Sequence, residues 1–277
     1  MAAVSRDDPG PRAVTFDVWY TLLYQSPRAR AAYEAARDRP WRAALRAAGV
    51  VGPAADRLLV RLYREAHRRE RAGRAFPLPR QVEWASEAAG RRVARAAVEA
   101  GLGEAVRAAR IGVAPGALGA LDRLRADGVR VGLVSNVLFE PSPPIRDLLE
   151  RTGLAARAET IVLSSELGDA KPHPGPIRTA ARALGVRTAA TLHVGDEAGD
   201  VLAAWAAGAA AARFTGLARV WPASHTPPGD GAWGLAPGFH RWTGFADALP
   251  ALYRSARAVA DTAPQARAYR ARATRSA

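Results

Sequence analysis

Short apolar runs alternate with longer helix-forming stretches from residue 113 to residue 207, and the clearest runs stop at a polar residue. VRVGLVSN ends in Ser135 and Asn136, and TLHVGDE delivers Asp196. ETIVLSSE reads as a strand between them, with helices expected over 115–127, 144–151, 175–184 and 199–207. Near the start of the chain, Val14 to Phe16 form a similar run that ends at Asp17. Strands of this length separated by helices pair in parallel through right-handed crossovers. The pattern therefore predicts an α/β fold with a Rossmann-like parallel-sheet core. Ligands of such sheets sit beyond the carboxyl ends of the strands, which places Asp17, Ser135 and Asp196 on one rim.

Residues 27–112 interrupt this rhythm with sequence made almost wholly of helix formers. Helices are expected over 29–48, 54–71, 80–99 and 102–109, with GVVGP, AGRAFPLP and AGLG as the punctuation between them. The organisation expected is a core from 1–26 and 113–277 with a helical domain, 27–112, inserted into it. From 213 onward the core reads as partly irregular. Residues 214–245 are rich in Gly, Pro and Trp, and the chain closes on the basic tail ARAYRARATRSA. The insert carries many arginines and the aromatics Tyr33, Trp41, Tyr63 and Trp84. They suit an anionic or ring-containing substrate, and equally an ordinary aromatic core beneath a solvated face.

Composition narrows the chemistry. The absence of cysteine rules out disulfides, thiolate metal sites and a cysteine nucleophile. No stretch approaches the roughly 18 apolar residues of a membrane span, and MAAVSRDDPGPR has no apolar leader segment, so a cytoplasmic protein is expected. The net charge of +14 is carried by arginines scattered along the whole length rather than by one stripe, which argues against a nucleic-acid surface. Of the 40 basic residues 39 are arginine, and the exception is Lys171, in GDAKPHP. A guanidinium is a broad planar fork, whereas an ammonium is a compact charge that can approach a single oxygen closely. Lys171 is a candidate functional residue on that ground.

In GDEAGD, Asp196 follows a strand and Asp200 lies four residues on, so both carboxylates face the same way across one helical turn. Two hard oxygen ligands in this arrangement suit Mg²⁺, although a simple helix N-cap would use the same residues. Asp17 ends a buried strand, where a carboxylate is costly unless it is hydrogen-bonded or metal-bound, and where a nearby cation makes it a plausible nucleophile. Ser135 could hold an oxyanion with its hydroxyl and the following N–H of Asn136.

Taken in order, these segments resemble the four signature motifs of the haloacid dehalogenase-like hydrolase superfamily. FDVWYTL is similar to the first, VSN to the second, Lys171 in GDAKPHP to the third and GDEAGD to the fourth; the insert stands where the family's C1-type helical cap does. The resemblance, over about residues 13–212, implies that Asp17 attacks phosphorus to form an aspartyl-phosphate, with Thr21 in the same motif. Ser135, Asn136 and Lys171 would hold the phosphate beside Trp19. Mg²⁺ would be bound by Asp17, Asp196 and the main-chain carbonyl of Trp19, with Asp200 orienting its shell. A small phosphorylated metabolite is the implied substrate.

One position departs from the pattern. The family's phosphatases carry a second aspartate two residues after the nucleophile, as the general acid–base, and here Trp19 stands in its place. An indole can neither protonate a leaving group nor activate water, a role worth about 10²–10⁴ in rate. Three readings follow. The chain is a phosphatase whose leaving group needs little protonation or that borrows an acid, with Tyr20, His173 and Glu197 nearby in sequence and the helical insert as another source; or a 2-haloacid-type dehalogenase, whose halide leaves without a proton; or a binding or regulatory protein that has lost turnover.

Overall fold

The computed structural model describes residues 11–220 and 241–242. In chain order the elements are β1 (Ala13–Phe16), β2 (Leu23–Tyr24), α1 (Pro27–Ala47), α2 (Pro53–Arg71), α3 (Leu78–Ala89), α4 (Arg95–Ala108) and β3 (Gly112–Val113). They continue with α5 (Ala117–Ala126), β4 (Arg130–Ser135), α6 (Ser142–Arg151), β5 (Thr160–Leu163), the short α7 (Ser164–Leu167) and α8 (Gly175–Ala183). The series ends with β6 (Thr191–Gly195), α9 (Ala198–Ala207), β7 (Ala210–Phe214) and β8 (Arg241–Trp242). Among the described residues no helix is long and apolar enough to cross a membrane.

The main sheet runs β5-β4-β1-β6-β7-β8, and its pairings are parallel. β1 lies between β4 and β6, with Phe16 opposite Leu133 on one side and Val194 on the other. A strand with neighbours on both edges and helices on both faces is buried on both sides, and all four residues of β1 are buried, with Thr15 as its one polar side chain. After β1 the chain builds outward to β4 and β5, then crosses back to begin β6 on the other side of β1. That reversal opens a crevice beyond the carboxyl end of β1, where Asp17 emerges. Beneath it Val14, Phe16, Leu133, Leu192 and Val194 are fully buried in one apolar cluster. Burial of each such side chain stabilises the fold by about 1.5–3 kcal/mol.

The helical stretch has an apolar core of its own, built on Trp41, Leu45, Leu59, Leu62, Val98 and Leu102. Ser26 starts α1 by accepting a hydrogen bond from the Ala29 N–H at 3.2 Å, and Pro27 fits the first turn. Two sequence expectations fail here. The helix expected over 80–99 ends at Ala89, because Gly90 takes a left-handed conformation, φ 61°, that closes α3. The AGLG expected to separate 80–99 from 102–109 instead lies inside α4. Gly101 is a contact point: a Cβ there would lie 2.5 Å from Cβ of Pro40 in α1.

Entry to and exit from the helices share an antiparallel pair, Leu23 opposite Val113 and Tyr24 opposite Gly112, which periodicity could not reveal in so short a ribbon. The expectation of irregular structure from 213 is corrected at its start, since Arg213 and Phe214 end the buried strand β7. AAARF lacks the β-branched residues that mark a strand and follows an alanine-rich helix, so its sequence signal is weak. The rest of 214–245 beyond 220, apart from 241–242, and the basic tail lie outside the described residues.

Candidate active site

Four chain segments converge where β1, β4 and β6 end. The Lys171 ammonium donates to Asp17 Oδ1 at 2.5 Å and to the Val134 carbonyl at 2.9 Å, and lies 2.6 Å from Asp200 Oδ1. Lys171 is 3% exposed, so these contacts replace its water. Thr21 donates its hydroxyl proton to Asp196 Oδ1 at 3.1 Å, which joins the first turn after β1 to the residue after β6. Asp17, Asp196 and Asp200 are all buried. The proximity of Asp17, Lys171 and Asp200 is thus direct, and that of Asp196 runs through Thr21 and the shared field.

Local geometry explains why these residue types stand where they do. Asp200 is the third residue of α9, and its Oδ2 accepts the Glu197 N–H at 2.9 Å, half of a reciprocal capping box with the Glu197 side chain. A carboxylate in the first turn is favoured by the helix dipole. Gly195 makes room for it, since a Cβ at 195 would fall 2.2 Å from Asp200 Cγ. Tyr20 holds a left-handed φ of 58° in the turn that follows Asp17. Ser135 is buried at the end of β4, with its hydroxyl 3.4 Å from the Asn136 carbonyl. Trp19 is half-buried and packs against the main apolar cluster.

The Asn136 side chain has a task within the protein that the sequence did not suggest. Its Oδ1 accepts the Lys171 N–H at 2.9 Å, and its Nδ2 donates to the Lys171 carbonyl at 2.9 Å and to Glu70 Oε1 at 3.0 Å. Both polar ends of the side chain are committed to the protein, which leaves the main chain of Asn136 as its route to a ligand. His173, considered as an acid, turns toward Asp169 at 3.2 Å and accepts the Gly175 N–H at 3.1 Å. Glu197 is an exposed helix cap whose charge nonetheless raises the pKa of Asp17 and Asp196.

Sequence reasoning missed His193. Its Nδ1 is 2.9 Å from Thr15 Oγ1, its register partner on β1, and its Nε2 is 3.3 Å from Asp200 Oδ1. The available signal was a histidine two residues before Gly195 in an otherwise apolar buried strand. Burial pushes its pKa down, although Asp200 opposes this, so the ring is neutral. An ionised Asp200 can only accept, which assigns the ring proton to Nε2 and leaves Nδ1 to accept from Thr15.

The carboxylates divide by surroundings. Burial pushes Asp17 up to about 7; Lys171 pulls against it while Asp200 and Glu197 add to it. Burial, with Asp17 and Asp200, raises Asp196 well above the usual carboxylate range. Burial would raise Asp200 too, but Lys171 and His193 hold it below that range. Lys171 stays charged because its two carboxylate partners overcome burial. Three acidic groups therefore share one ammonium, with Asp200 its firmly ionised partner. Such a site has a deficit of positive charge at Asp17 and Asp196. Chemically it can offer a carboxylate nucleophile beside a fixed cation.

A family model described as haloacid dehalogenase-like hydrolase matches residues 11–208. The phosphoglycolate phosphatase of Rhodospirillum rubrum is 43% identical over 96 residues, 35% of this chain and 39% of the relative. That of Escherichia coli strain K12 is 35% identical over 88 residues, 32% of this chain and 34% of the relative. These matches span well under half of the relatives' own length. The crystal structure of CbbY from Rhodobacter sphaeroides in complex with phosphate is 19% identical with a TM-score of 0.54, covering 86% of this chain and 96% of that one. At that identity the likeness speaks for the fold, a parallel-sheet α/β core with many helices.

Proposed function

Because this chain belongs to the haloacid dehalogenase-like hydrolase family, we propose that it is a Mg²⁺-dependent phosphatase of a small phosphorylated metabolite. Hydrolase is the family's activity, and the phosphoglycolate phosphatase relatives support a phosphomonoester as the substrate. Helices α1 to α4, within 27–112, are read as a C1-type cap over the strand ends, with the α/β core formed by the remainder. Such a cap excludes water and selects the substrate.

The observation that carries the reading is Lys171, buried between Asp17 and Asp200, with Thr21, in the turn after Asp17, donating to Asp196. Asp17 attacks phosphorus, forming the bond to Oδ as the ester oxygen departs as an oxyanion that takes its proton from solvent, and water later cleaves the aspartyl-phosphate to release inorganic phosphate and restore Asp17. Lys171 holds a phosphate oxygen and keeps Asp17 in reach. The Ser135 hydroxyl and the Asn136 N–H, at the end of β4, hold the remaining oxygens. Thr21 fixes Asp196, and His193 with the α9 cap fixes Asp200. This is catalysis by position and charge, as phosphoryl transfer requires.

The donor set fits Mg²⁺. Among the described residues no group of three or more His, Cys, Asp or Glu side chains is arranged to hold a metal ion unaided. Mg²⁺ typically needs only one or two carboxylates, with waters and substrate oxygens completing its shell. Asp17, Asp196 and the Trp19 carbonyl are the proposed ligands, with Asp200 behind them. The upward-shifted pKa values of Asp17 and Asp196 express a charge deficit that a divalent cation would offset. When bound, Mg²⁺ supplies charge neutralisation and polarisation of the phosphoryl group.

Trp19 favours a second reading, a 2-haloacid-type dehalogenase in which Asp17 displaces halide and no proton donor is needed. One pair of assays tests both. Phosphate release from an aryl phosphate that requires Mg²⁺ and disappears in Asp17→Asn is expected; metal-independent halide release from a 2-haloacid without phosphate release would replace the first reading by the second.

A further inference from the structure

Glu70 is remote in sequence from every motif, yet its carboxylate reaches the third of them through one intermediary. It lies near the end of α2, 3.0 Å from Asn136 Nδ2 and 3.6 Å from His67 Nδ1. Asn136 in turn holds both main-chain polar groups of Lys171, accepting its N–H and donating to its carbonyl. A carboxamide can do this in one orientation only. Flipped, its oxygen would face the Lys171 carbonyl and the Glu70 carboxylate, two acceptors. Glu70, which as a carboxylate only accepts, therefore helps to lock the Asn136 amide in the orientation that grips Lys171.

The same stretch of insert holds the neighbouring main chain. Between α2 and α3, Ala75 donates its N–H to the Gly168 carbonyl at 2.9 Å, and Gly73 accepts the Ala170 N–H at 3.0 Å. Arg74 and Asp169 form an antiparallel bridge between these bonds. Gly73, at φ 76°, presses so close to His173 that a Cβ would meet the histidine Cβ at 2.9 Å. From α3, Gln81 donates to the Leu138 carbonyl at 2.6 Å. The helical insert is thus fastened both to residues 168–173 and to the segment that follows β4, and Glu70 is the fastening whose partner grips the Lys171 main chain.

We infer that Glu70 is a positioning residue for Lys171, acting through the Asn136 carboxamide, so that the helical insert sets the placement of the phosphate-holding ammonium. The kinetic part rests on the phosphatase reading above; the geometric part does not. Without Glu70 the Asn136 amide loses one of its three restraints, and Lys171 drifts from its place between Asp17 and Asp200. Misplacement of a reacting group by about 1 Å can cost a factor near 10².

The composition supplies the probe. Lys171 is the sole lysine in the chain, so protein labelled with [α-¹⁵N]lysine gives one backbone amide cross-peak, and that N–H is the one Asn136 accepts. Glu70→Ala and Glu70→Asp, the latter too short to reach, are expected to move this peak and speed its hydrogen exchange about tenfold or more. They should lower kcat for an aryl phosphate roughly 10–100-fold while KM changes far less. Glu70→Gln keeps an acceptor in place and should preserve the peak and most of kcat. Glu65→Ala, which removes α2 surface pairs to Arg68 and Arg69, should match the unaltered protein in all three. If Glu70→Ala does not fold, Glu70→Asp carries the same test.

An unmoved cross-peak in Glu70→Asp, equal damage in Glu70→Gln, or an unchanged kcat beside a displaced peak would each overturn the inference. If the unaltered protein releases no phosphate but its lysine peak responds as expected, the phosphatase reading fails and the positioning of Lys171 by Glu70 stands.

Discussion

Replacing Lys171 with arginine tests the site at its smallest scale. The ammonium occupies a slot bounded by Asp17, Asp200 and the Val134 carbonyl, each within 2.9 Å. A planar guanidinium is wider and cannot meet three acceptors from one nitrogen. On the phosphatase reading proposed above, Lys171→Arg should cut phosphate release by about 10² or more while the circular-dichroism spectrum stays native. Near-normal turnover would show that charge alone suffices.

The carboxylates also set a pH dependence. Asp17 titrates near 7 in the folded protein, against about 3.9 in an unfolded chain, so between those values the folded state binds the extra proton. Metal-free stability must then fall as pH rises across that window, and Asp196 adds to the trend. Asp200, held low, contributes stability that is already complete above about pH 4 and is lost only in acid. Lys171, held high, contributes equally throughout the window. His193, held low, works the other way below about pH 6.5, one imidazole against two carboxyls. Thermal denaturation in chelator should give a lower midpoint at pH 7 than at pH 5, and Mg²⁺ should raise the midpoint most at pH 7. A midpoint that rises with pH in chelator would contradict this account.

Among the secondary-structure elements, two glycines separate punctuation from packing. Gly101 in α4 faces the Pro40 ring of α1, so Gly101→Ala should destabilise the protein by about 1–3 kcal/mol in urea denaturation. Gly119 is exposed in α5 with nothing within 4 Å of a built Cβ, so Gly119→Ala should stabilise by about 0.5–1 kcal/mol. From sequence alone the two look alike, because propensity records the cost of a glycine and not what stands opposite it. The same limit explains what was and was not legible elsewhere. Asp17, Asp196 and Asp200 were readable because strand ends and a one-turn spacing fix them locally, and Lys171 because arginine fills every other basic position. His193 and Glu70 were not: one is a lone polar residue inside a strand, the other one acid on an arginine-rich helix, and both take their meaning from partners far along the chain. The α/β core was legible from alternation, whereas AAARF gave no β-branched signal for β7.

Over the whole molecule as described, the helical and sheet parts are built on different apolar clusters, and Phe139 crosses from the sheet side into the helical one as Val106 of α4 crosses the other way. It follows the Ser135–Asn136 turn of the sheet yet packs in the helical cluster, with its ring 4.7 Å from Tyr63 and the Arg37 guanidinium 4.6 Å from its centroid. Phe139→Ala should cost about 3–5 kcal/mol, read from the denaturation midpoint. Proteolysis should then reach α1 to α4 sooner than the strands, because the lost contact is the helices' own. Equal protection of both parts would place the ring's contribution elsewhere.

Leu23–Tyr24 and Gly112–Val113 stand side by side, so the chain leaves the sheet and comes home through a single doorway. Helices between those two threshold pairs can be lengthened or trimmed without asking β1 or β4 to shift, so long as residues 70–81 keep their hold on Asn136, Leu138 and 168–170. Change confined to the helices beyond that hold leaves the carboxylates behind the door where they are.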